Sequence, residues 1–339
     1  MITDDFYADE YDEYESLFDP MNKDRQARRK RKPRVNHVPK KARTEIIDEI
    51  AETTGLEGGF ITTYPPARFE EGWLLSSLET FYDQGLIVDV MARIKGGKEA
   101  NVYRCRAQRG TGETWLAAKV YRPRQFRNLR NDKVYRDGRA ILKSDGTIAK
   151  KTDHRLMRAL DKKSDFGMQV RHTSWLMHEY TTLERLHQAG AAVPRPLGAG
   201  ENAILMDYIG DEHRAAPTLH EVSLDPAEAE SLFHELLRNI ELMLAHDMIH
   251  GDLSAYNVLY WAGTITLIDF PQVVNCHTNE NAYTILQRDI ERTCEYFAQQ
   301  GVSSDPEAIL ADFWSRYGAK IPKESLSDED LASFHEGYE

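Results

Sequence analysis

Cysteine is scarce in this sequence, with three residues among 339. Cys105, Cys276 and Cys294 are widely spaced, and no CxxC pair occurs. Neither a disulfide framework nor a structural zinc site can be read from that spacing. Because 41% of the residues are hydrophobic, the chain can bury a sizeable core without cross-links. We therefore expect the protein to fold in a reducing compartment, and the predicted location is the cytoplasm.

Long apolar runs are also missing. No stretch approaches the roughly 18 consecutive apolar residues that a membrane-spanning helix needs. The N-terminus opens with acidic residues rather than with a basic and apolar leader. The sequence thus predicts a soluble protein without a membrane partner.

Several blocks lack charge of one sign, within a net charge of −12. Residues 1–20 contain eight acids and no base, whereas 23–43 contain eleven bases and one acid. Neither block has an apolar period, so 1–43 is predicted to be a disordered tail, first acidic and then basic. Residues 124–171 hold fourteen Lys and Arg against six Asp, which predicts a basic and partly mobile insert. Residues 303–339, with nine acids and three bases, read as an acidic C-terminal tail.

The segregation of the two signs along the chain allows more than one interpretation. The basic blocks have the composition of segments that contact RNA or a ribosomal particle. Docking of these blocks onto the acidic tails is the main rival, and a solvated surface is the third reading.

Periodicity predicts an α+β fold. A helical extension over 44–92 includes EEGWLLSSLETFYDQG, whose apolar residues at 74, 75, 78, 81 and 82 recur at helical spacing. The strand patterns NVYRCRA and TWLAAKVY follow, joined by the turn RGTGE. Helices are then predicted at 174–189 and at 226–246, the second one starting from the cap Asp225 and Pro226.

The stretch IHGDLSAYNVLY at 249–260 places polar residues between two apolar runs. Asp252 and Asn257 are five positions apart, and Asp269 follows at the end of the strand pattern TITLID. In phosphoryl-transfer enzymes this spacing supplies one Asp for the attacking group and an Asn and a second Asp for the metal. Carboxylate and amide oxygens are ligands that Mg²⁺ prefers. The pattern therefore indicates phosphoryl transfer.

A kinase site also needs a cation on the phosphates and a partner that orients it. Lys119 lies in the strand pattern LAAKVY, and Glu179 lies in the helix pattern WLMHEYTTL. Upstream, KGGKEANVY stands where a glycine-rich loop should be, but only one of the three GxGxxG glycines remains. Taken alone, this loop would be a weak signal.

These residues resemble the RIO family of atypical serine/threonine protein kinases. HGDLSAYN matches the catalytic loop of that family throughout, and GGKEANVY resembles its phosphate loop, with Gly96 where a Ser or Thr is usual. IDFPQVV resembles the family's metal loop, which lacks the glycine of DFG. WLMHEYTTLERL and QRDIERTCEYF resemble its Glu-bearing helix and its late R-D helix, so the resemblance covers about 90–300.

The resemblance implies a two-lobed protein-kinase-like fold over 93–302, with a β-rich N-lobe at 93–208 and a helical C-lobe at 209–302. The family lacks an activation loop and a peptide-docking subdomain. Here only about twenty residues separate Asp269 from the R-D helix, and no APE sequence occurs. Docking of peptide substrates as in ordinary kinases is therefore not expected.

The resemblance also implies residue roles. Lys119 would contact the nucleotide phosphates, Glu179 would pair with it, and Asp252 would be the catalytic Asp. Asn257 and Asp269 would bind Mg²⁺, and Asp289 would brace the catalytic loop. The implied ATP-binding residues are Gly97, Lys98, Glu99, Ala100, Val102, Lys119, Met206, Tyr208 and Ile209, with MDYI as the hinge to adenine.

The expected activity is that of a RIO-like, non-specific serine/threonine protein kinase or an ATPase, and a role in ribosome or RNA-particle assembly is one expectation. A protein substrate is expected but not identified. A small-molecule kinase of the aminoglycoside or choline type shares HGDLxxxN, but it usually has HP after the Leu, where this chain has Ser254 and Ala255. A non-catalytic pseudokinase is the third reading, although every phosphate and metal residue is present.

Overall fold

The computed structural model describes residues 62–97, 99–122, 139–150, 153–162 and 165–318. The predicted tail 1–43, the first part of the 44–92 extension and the end of the acidic tail lie outside the described residues. Lys98 and residues 123–138 of the insert also lie outside them.

A five-stranded antiparallel sheet forms the N-lobe, with the spatial order β1-β2-β3-β5-β4. The strands are β1 (Ile87–Gly96), β2 (Ala100–Ala107), β3 (Trp115–Tyr121), β4 (Pro196–Ala199) and β5 (Ala203–Asp207). The predicted hairpin of NVYRCRA and TWLAAKVY is β2 and β3, paired so that Val102 lies opposite Lys119.

The helix α1 (Arg68–Asp83) packs on one face of this sheet. Leu74, Leu78 and Phe81 are wholly buried, in the same cluster as residues of β1, β2 and β3. Tyr82, which helical spacing placed on the same apolar side, is instead 40% exposed.

The predicted N-lobe boundary at 92/93 falls inside a strand. β1 begins at Ile87 and pairs with β2 along its length. Residues 87–92 therefore belong to the sheet and not to the predicted N-terminal extension. The strand-like pattern IVDVMARI begins at Ile87 in the sequence, as β1 does in the structure, so the domain boundary had divided a recognisable strand.

The basic insert contains ordered helix in its second half. α2 (His154–Asp161) is followed by α3 (Asp165–Gln188), a helix of 24 residues that starts nine positions before the predicted 174. Ala149, Leu156 and Leu160 bury one another in a small separate cluster, against which Val170 of α3 packs. These few apolar residues form a small core in the second half of the insert, although the composition of 124–171 is mainly polar and basic.

The C-lobe is mainly helical, which confirms the predicted two-lobed α+β architecture. α4 (Pro226–Ala245) matches the predicted helix, and the Asp225 side chain caps it by accepting from the N–H groups of Ala227 and Glu228, both at 3.1 Å. Two short antiparallel pairs follow, β6 (Met248–Ile249) with β9 (Val274–Asn275) and β7 (Val258–Trp261) with β8 (Thr264–Leu267). α5 (Ala282–Gln299) packs beneath them.

The segment predicted as an acidic tail from 303 begins with a packed helix. α6 (Pro306–Tyr317) buries Leu310 and Phe313 in the core of the C-lobe. The prediction of a tail over 303–339 is therefore wrong for residues 306–317. That prediction was based on the excess of acidic residues, and the apolar face of the helix is short. Among the helices that the structure describes, none is long and apolar enough to cross a bilayer.

Candidate active site

Lys119 points from the N-lobe sheet into the cleft because side chains alternate along β3. The even-numbered residues of the strand pack in the cluster under α1, whereas Ala117 and Tyr121 join the core shared with the C-lobe. The Lys119 Nζ lies 2.6 Å from Oε1 of Glu179 on α3, and it also forms an ion pair with Asp269. One ammonium thus bridges a carboxylate from each lobe.

The charges of this trio stabilise one another. Burial favours the neutral amine of Lys119, but the carboxylates of Asp269 and Glu179 outweigh it and raise the lysine pKa above its ordinary value. Desolvation likewise opposes ionisation of Asp269, yet the Lys119 ammonium holds the pKa of that carboxyl below its usual range. Lys119 and Asp269 are therefore both charged at neutral pH.

Glu179 is fixed from several sides. Its side chain is 1% exposed, it accepts a hydrogen bond from the Tyr121 hydroxyl, and its Oε1 accepts from the Phe270 N–H at 3.4 Å. Phe270 directly follows Asp269, so Glu179 contacts both the lysine and the backbone of the predicted metal loop. The N-lobe helix and this loop are consequently positioned together.

The predicted catalytic loop starts at the end of β6 and is held by Asp289 of α5. Asp289 accepts from the Gly251 N–H at 2.7 Å and from the Leu253 N–H at 3.2 Å. Burial raises the pKa of Asp289 against the opposing effects of Arg288, His250 and the Gly251 N–H. Arg288 donates to the Gly251 carbonyl, so the tight turn is anchored at both its N–H and its C=O.

Asp252 lies between these two turn contacts with its carboxylate held at both oxygens. Arg292 of α5 donates to Oδ1 at 3.0 Å, and the Asn257 Nδ2 donates to Oδ2 at 3.2 Å. The Asp252 side chain is only 10% exposed. Its orientation is thus set before any substrate arrives.

Asn257 and Asp269 have the donor chemistry of a magnesium site. The Asn257 Nδ2 donates to the Asp252 carbonyl at 2.8 Å as well as to its carboxylate, which assigns the amide Oδ1 as the atom available to a cation. The Asn257 carbonyl accepts from the Ile268 N–H at 2.9 Å and so brings the two loops side by side. Asp269 adopts φ +71°, a left-handed conformation that costs energy for a non-glycine residue and is often found at functional sites.

Gly97, Glu99 and Val102, three of the predicted nucleotide-binding residues, lie at the β1–β2 turn and on β2, next to the strand of Lys119. Gly97 lies at the β1–β2 turn, where a Cβ would come within 2.7 Å of the Ala100 carbonyl oxygen. Val102 is opposite Lys119 in the sheet, and the Glu99 carbonyl accepts from the Arg122 N–H at 2.8 Å. Lys98 is outside the described residues, so its contacts stay a prediction.

The predicted hinge follows the last long strand of the N-lobe. Met206 belongs to β5 and is buried, whereas Tyr208 and Ile209 lie beyond the end of that strand. The Ile209 carbonyl accepts from the Ala216 N–H at 2.9 Å, which closes the loop into the C-lobe. The segment joins the two lobes, and its contact with adenine stays a prediction.

Sequence reasoning missed three residues that shape this site. Tyr121 shares the face of Lys119 because it lies two positions further along β3, so alternation could have identified it. Arg292 lies three positions after Asp289 on α5, on the same side of the helix. Lys95 lies opposite Val102, in the same cross-strand row as Lys119; desolvation lowers its pKa against the attraction of Asp269 and Glu221.

Comparison with known proteins gives concordant results. The family model described as the RIO domain matches residues 101–309. The chain is 30% identical to the RIO-type serine/threonine-protein kinase Rio1 of Haloferax volcanii over 219 residues, covering 64% of this chain and 66% of that protein. It is also 30% identical to serine/threonine-protein kinase RIO1 of Chaetomium thermophilum, over 68% of this chain and 43% of that protein.

The human relative, serine/threonine-protein kinase RIO1, is 26% identical over 65% of this chain and 35% of that protein. The chain therefore spans from about a third to two thirds of the length of these relatives. The family match extends from β2 through the catalytic loop to α6 and includes the residues of both lobes that meet at Lys119. On this basis the chain belongs to the RIO family.

Proposed function

We propose that the protein transfers or hydrolyses the γ-phosphate of ATP with Mg²⁺, as a RIO-type serine/threonine protein kinase or ATPase. The observation that carries this proposal is the bridge of Lys119 to Glu179 and Asp269 across the cleft, beside the buried carboxylate of Asp252. A cation for phosphates, a metal carboxylate and a proton acceptor are the parts that phosphoryl transfer needs.

Each residue has a distinct role in the proposed reaction. Lys119, oriented by Glu179 and Tyr121, neutralises the negative charge of the nucleotide phosphates. Asp252 orients the attacking hydroxyl or water and takes its proton, while the new P–O bond forms and the bond to the ADP oxygen breaks. Arg292 and Asn257 hold the Asp252 carboxylate for this step.

Asn257 and Asp269 are the residues that would hold magnesium. When bound there, the ion would offset the charge that develops on the phosphate oxygens. Asn257 presents its amide oxygen because its nitrogen is committed to Asp252, and the Asp269 side chain is 41% exposed to the cleft. Lys119 keeps Asp269 ionised and therefore able to bind a cation.

The short segment after Asp269 bears on the choice between kinase and ATPase. β9 begins at Val274 and α5 begins at Ala282, so the described residues leave no room for a long activation segment before the R-D helix. Such a segment positions peptide substrates in ordinary kinases. Turnover of ATP is therefore proposed to be at least as important as phosphorylation of a partner protein.

The family membership favours this function over the small-molecule kinase alternative. The test is to incubate the full chain with ATP labelled on its γ-phosphate and to follow both free phosphate and label on protein. Magnesium-dependent release or transfer of the label is expected. Absence of both products, in a protein that binds ATP, would support the pseudokinase reading.

We further propose that the basic segments contact RNA or a ribosomal particle. Residues 23–43 and 124–171 together hold 25 Lys and Arg against 7 acids. Such clustered positive charge attracts a phosphate backbone irrespective of sequence.

The three cysteines are free and buried, which fits the proposed cytoplasmic location.

A further inference from the structure

We propose a second metal site, for a zinc-class transition metal ion, formed by Asp247, Cys276 and His277. The side chains of these three residues offer a carboxylate oxygen, a sulfur and an imidazole nitrogen, and the ligand atoms all lie within 4.8 Å of one another. The site is separate from the magnesium residues and does not depend on the proposed activity.

The positions of the three residues follow from one strand pair. Asp247 directly precedes β6, and Cys276 directly follows β9. The two strands pair so that Met248 of β6 lies opposite Asn275 of β9. The Cys276 N–H donates to the Asp247 carbonyl at 3.1 Å, which extends the ladder by one step. Two chain segments almost thirty positions apart are thus locked together where the donors converge.

The spacing of the donors suits a tetrahedral ion. Zinc binds nitrogen and carboxylate oxygen at about 2.0–2.2 Å and thiolate sulfur at about 2.3 Å, which places ligand atoms roughly 3–4 Å apart. The His277 Nε2 lies 2.9 Å from the Asp247 Oδ1, and the largest separation in the group is below 4.8 Å. The three ligand atoms therefore lie close to the separations that a tetrahedral zinc ion requires.

The donor set distinguishes this ion from magnesium. Thiolate and imidazole prefer zinc, cobalt and related ions, whereas Mg²⁺ prefers oxygen ligands. A hydrogen-bonded His277–Asp247 pair alone would account for two of the three residues but not for the convergent sulfur. The Cys276 thiol donates to the Tyr317 carbonyl at the end of α6 across 3.6 Å, and metal binding would replace this hydrogen bond.

Simple thiol reactivity does not explain Cys276. The residue is 1% exposed, so its sulfur is shielded from solvent and from dissolved oxidants. An unliganded thiol of this kind is a poor nucleophile and a poor target for oxidation. A dication bound between the three residues would supply the positive charge that a buried thiolate lacks.

Two of the three proposed ligands are open to solvent. Three protein ligands leave a fourth position for water or another ligand. The His277 and Asp247 side chains are 45% and 52% exposed, so an ion reaches them directly from solvent. Because β6 leads into the catalytic loop and β9 follows the Asp269 loop, a bound ion would tie together the strands on which both loops rest.

Cobalt is the probe that separates this site from the active site. The full chain, freed of metal with a chelator and of any histidine tag, is titrated with Co²⁺. We expect one equivalent to produce a thiolate-to-cobalt charge-transfer band in the near ultraviolet. Asn257 and Asp269 offer only oxygen, so cobalt bound there gives no such band, and an Asp269→Asn variant should keep the full signal.

Three ligand variants and one control variant make the test specific. Cys276→Ser should abolish the band, whereas Cys294→Ser, which removes another buried cysteine, should leave it unchanged. His277→Ala and Asp247→Asn change exposed side chains, so both should fold, and each should weaken cobalt binding by about 10-fold or more. Zinc should bleach the band, and excess Mg²⁺ should not.

Two results would overturn the proposal. One is a wild-type protein that shows no thiolate band at millimolar cobalt. The other is a charge-transfer band that persists in Cys276→Ser, or an affinity for cobalt that is unchanged in both His277→Ala and Asp247→Asn. Neither result would touch the assignment of Lys119, Asp252 and Asp269, which the labelled-ATP experiment tests independently.

Discussion

Arg292 Nη1 lies 3.0 Å from Oδ1 of Asp252, and the two side chains are 2% and 10% exposed. The proposed catalytic carboxylate is therefore oriented by a helix that lies forty positions later in the chain. A buried ion pair is costly to break from one side, because the remaining charge is left without a partner. The predicted catalytic loop is thus fastened to α5 through Arg292 as well as through Asp289.

Replacing Lys119 with alanine should lower both ATP affinity and turnover, the latter by a factor on the order of 10² or more. The change removes the proposed phosphate cation and leaves Glu179 buried without its ammonium partner. Arg109→Ala, which removes one exposed positive charge at the far end of the β2–β3 hairpin, is the control. Nucleotide titration and steady-state kinetics on both variants provide the measurement; unchanged affinity and turnover in Lys119→Ala would refute the cleft assignment.

Gly251→Ala should destabilise the protein more than Gly263→Ala does. Both glycines have left-handed backbones, with φ +83° and +81°, so each substitution should cost about 1–2 kcal/mol in the free energy of unfolding. At Gly251 the new Cβ would also lie 2.4 Å from the Gln272 carbonyl oxygen, whereas nothing lies within 4 Å at Gly263. The clash should add about 1–3 kcal/mol. Equal free energies of unfolding for the two variants in denaturant titrations would show that the loop at Gly251 moves to accommodate the Cβ at no cost.

His178 should make the fold sensitive to mild acid. Burial, helped by the nearby charge of Arg139, lowers the pKa of His178 to about 4 from the model-peptide value of 6.5. As the pH falls, His178 is therefore protonated in the unfolded chain at a higher pH than in the folded protein. The stability contributed by neutral His178 is complete above about pH 6.5 and is lost progressively toward pH 4.

The test uses two histidines of the same helix. Between pH 7.5 and pH 5 the wild type should lose about 2 kcal/mol of unfolding free energy through His178. His178→Gln should remove this loss, whereas His187→Gln, at an exposed position, should retain it. A pH dependence that is the same in all three proteins would contradict the role of His178.

RNA binding by the basic segments should depend steeply on salt. If six or more phosphate contacts form, affinity should fall by roughly 10³ or more between low and moderate salt. The measurement is a salt titration of RNA binding with the full chain and with a chain lacking residues 1–43. No binding by either protein at low salt would eliminate the proposal, and binding only by the shortened chain would indicate autoinhibition by the acidic segment.

The sequence predicted the elements whose signals are local. The β2–β3 hairpin has regular strand patterns and a turn-rich link, and α4 has its Asp225 cap and Pro226 at the first turn. Lys119 and Glu179 were matched as a pair although they stand sixty positions apart, because each lies in a recognisable element. Family resemblance then supplied the roles that spacing alone leaves open.

The parts that escaped prediction depend on tertiary packing. The first turns of α3 carry Gly167, a poor helix former, and Val170 in these turns packs against the cluster that contains Leu156 and Leu160. α6 had a cap signal at Asp305, which accepts from the Ala308 N–H at 3.1 Å, but the surrounding acidity obscured it. The contact of Arg292 with Asp252 joins two distant segments, and its one local signal is that Arg292 lies three positions after Asp289 on α5.

The central claim, phosphoryl transfer by separate proton-accepting and metal-binding aspartates, is tested most directly by comparing Asp252→Ala with Asp269→Ala. Nucleotide binding with and without Mg²⁺ is measured alongside turnover of labelled ATP. We predict that Asp252→Ala retains magnesium-dependent binding and loses turnover by a factor on the order of 10² or more, whereas Asp269→Ala loses turnover and magnesium-dependent binding together. Identical behaviour of the two variants in both binding and turnover would contradict the account.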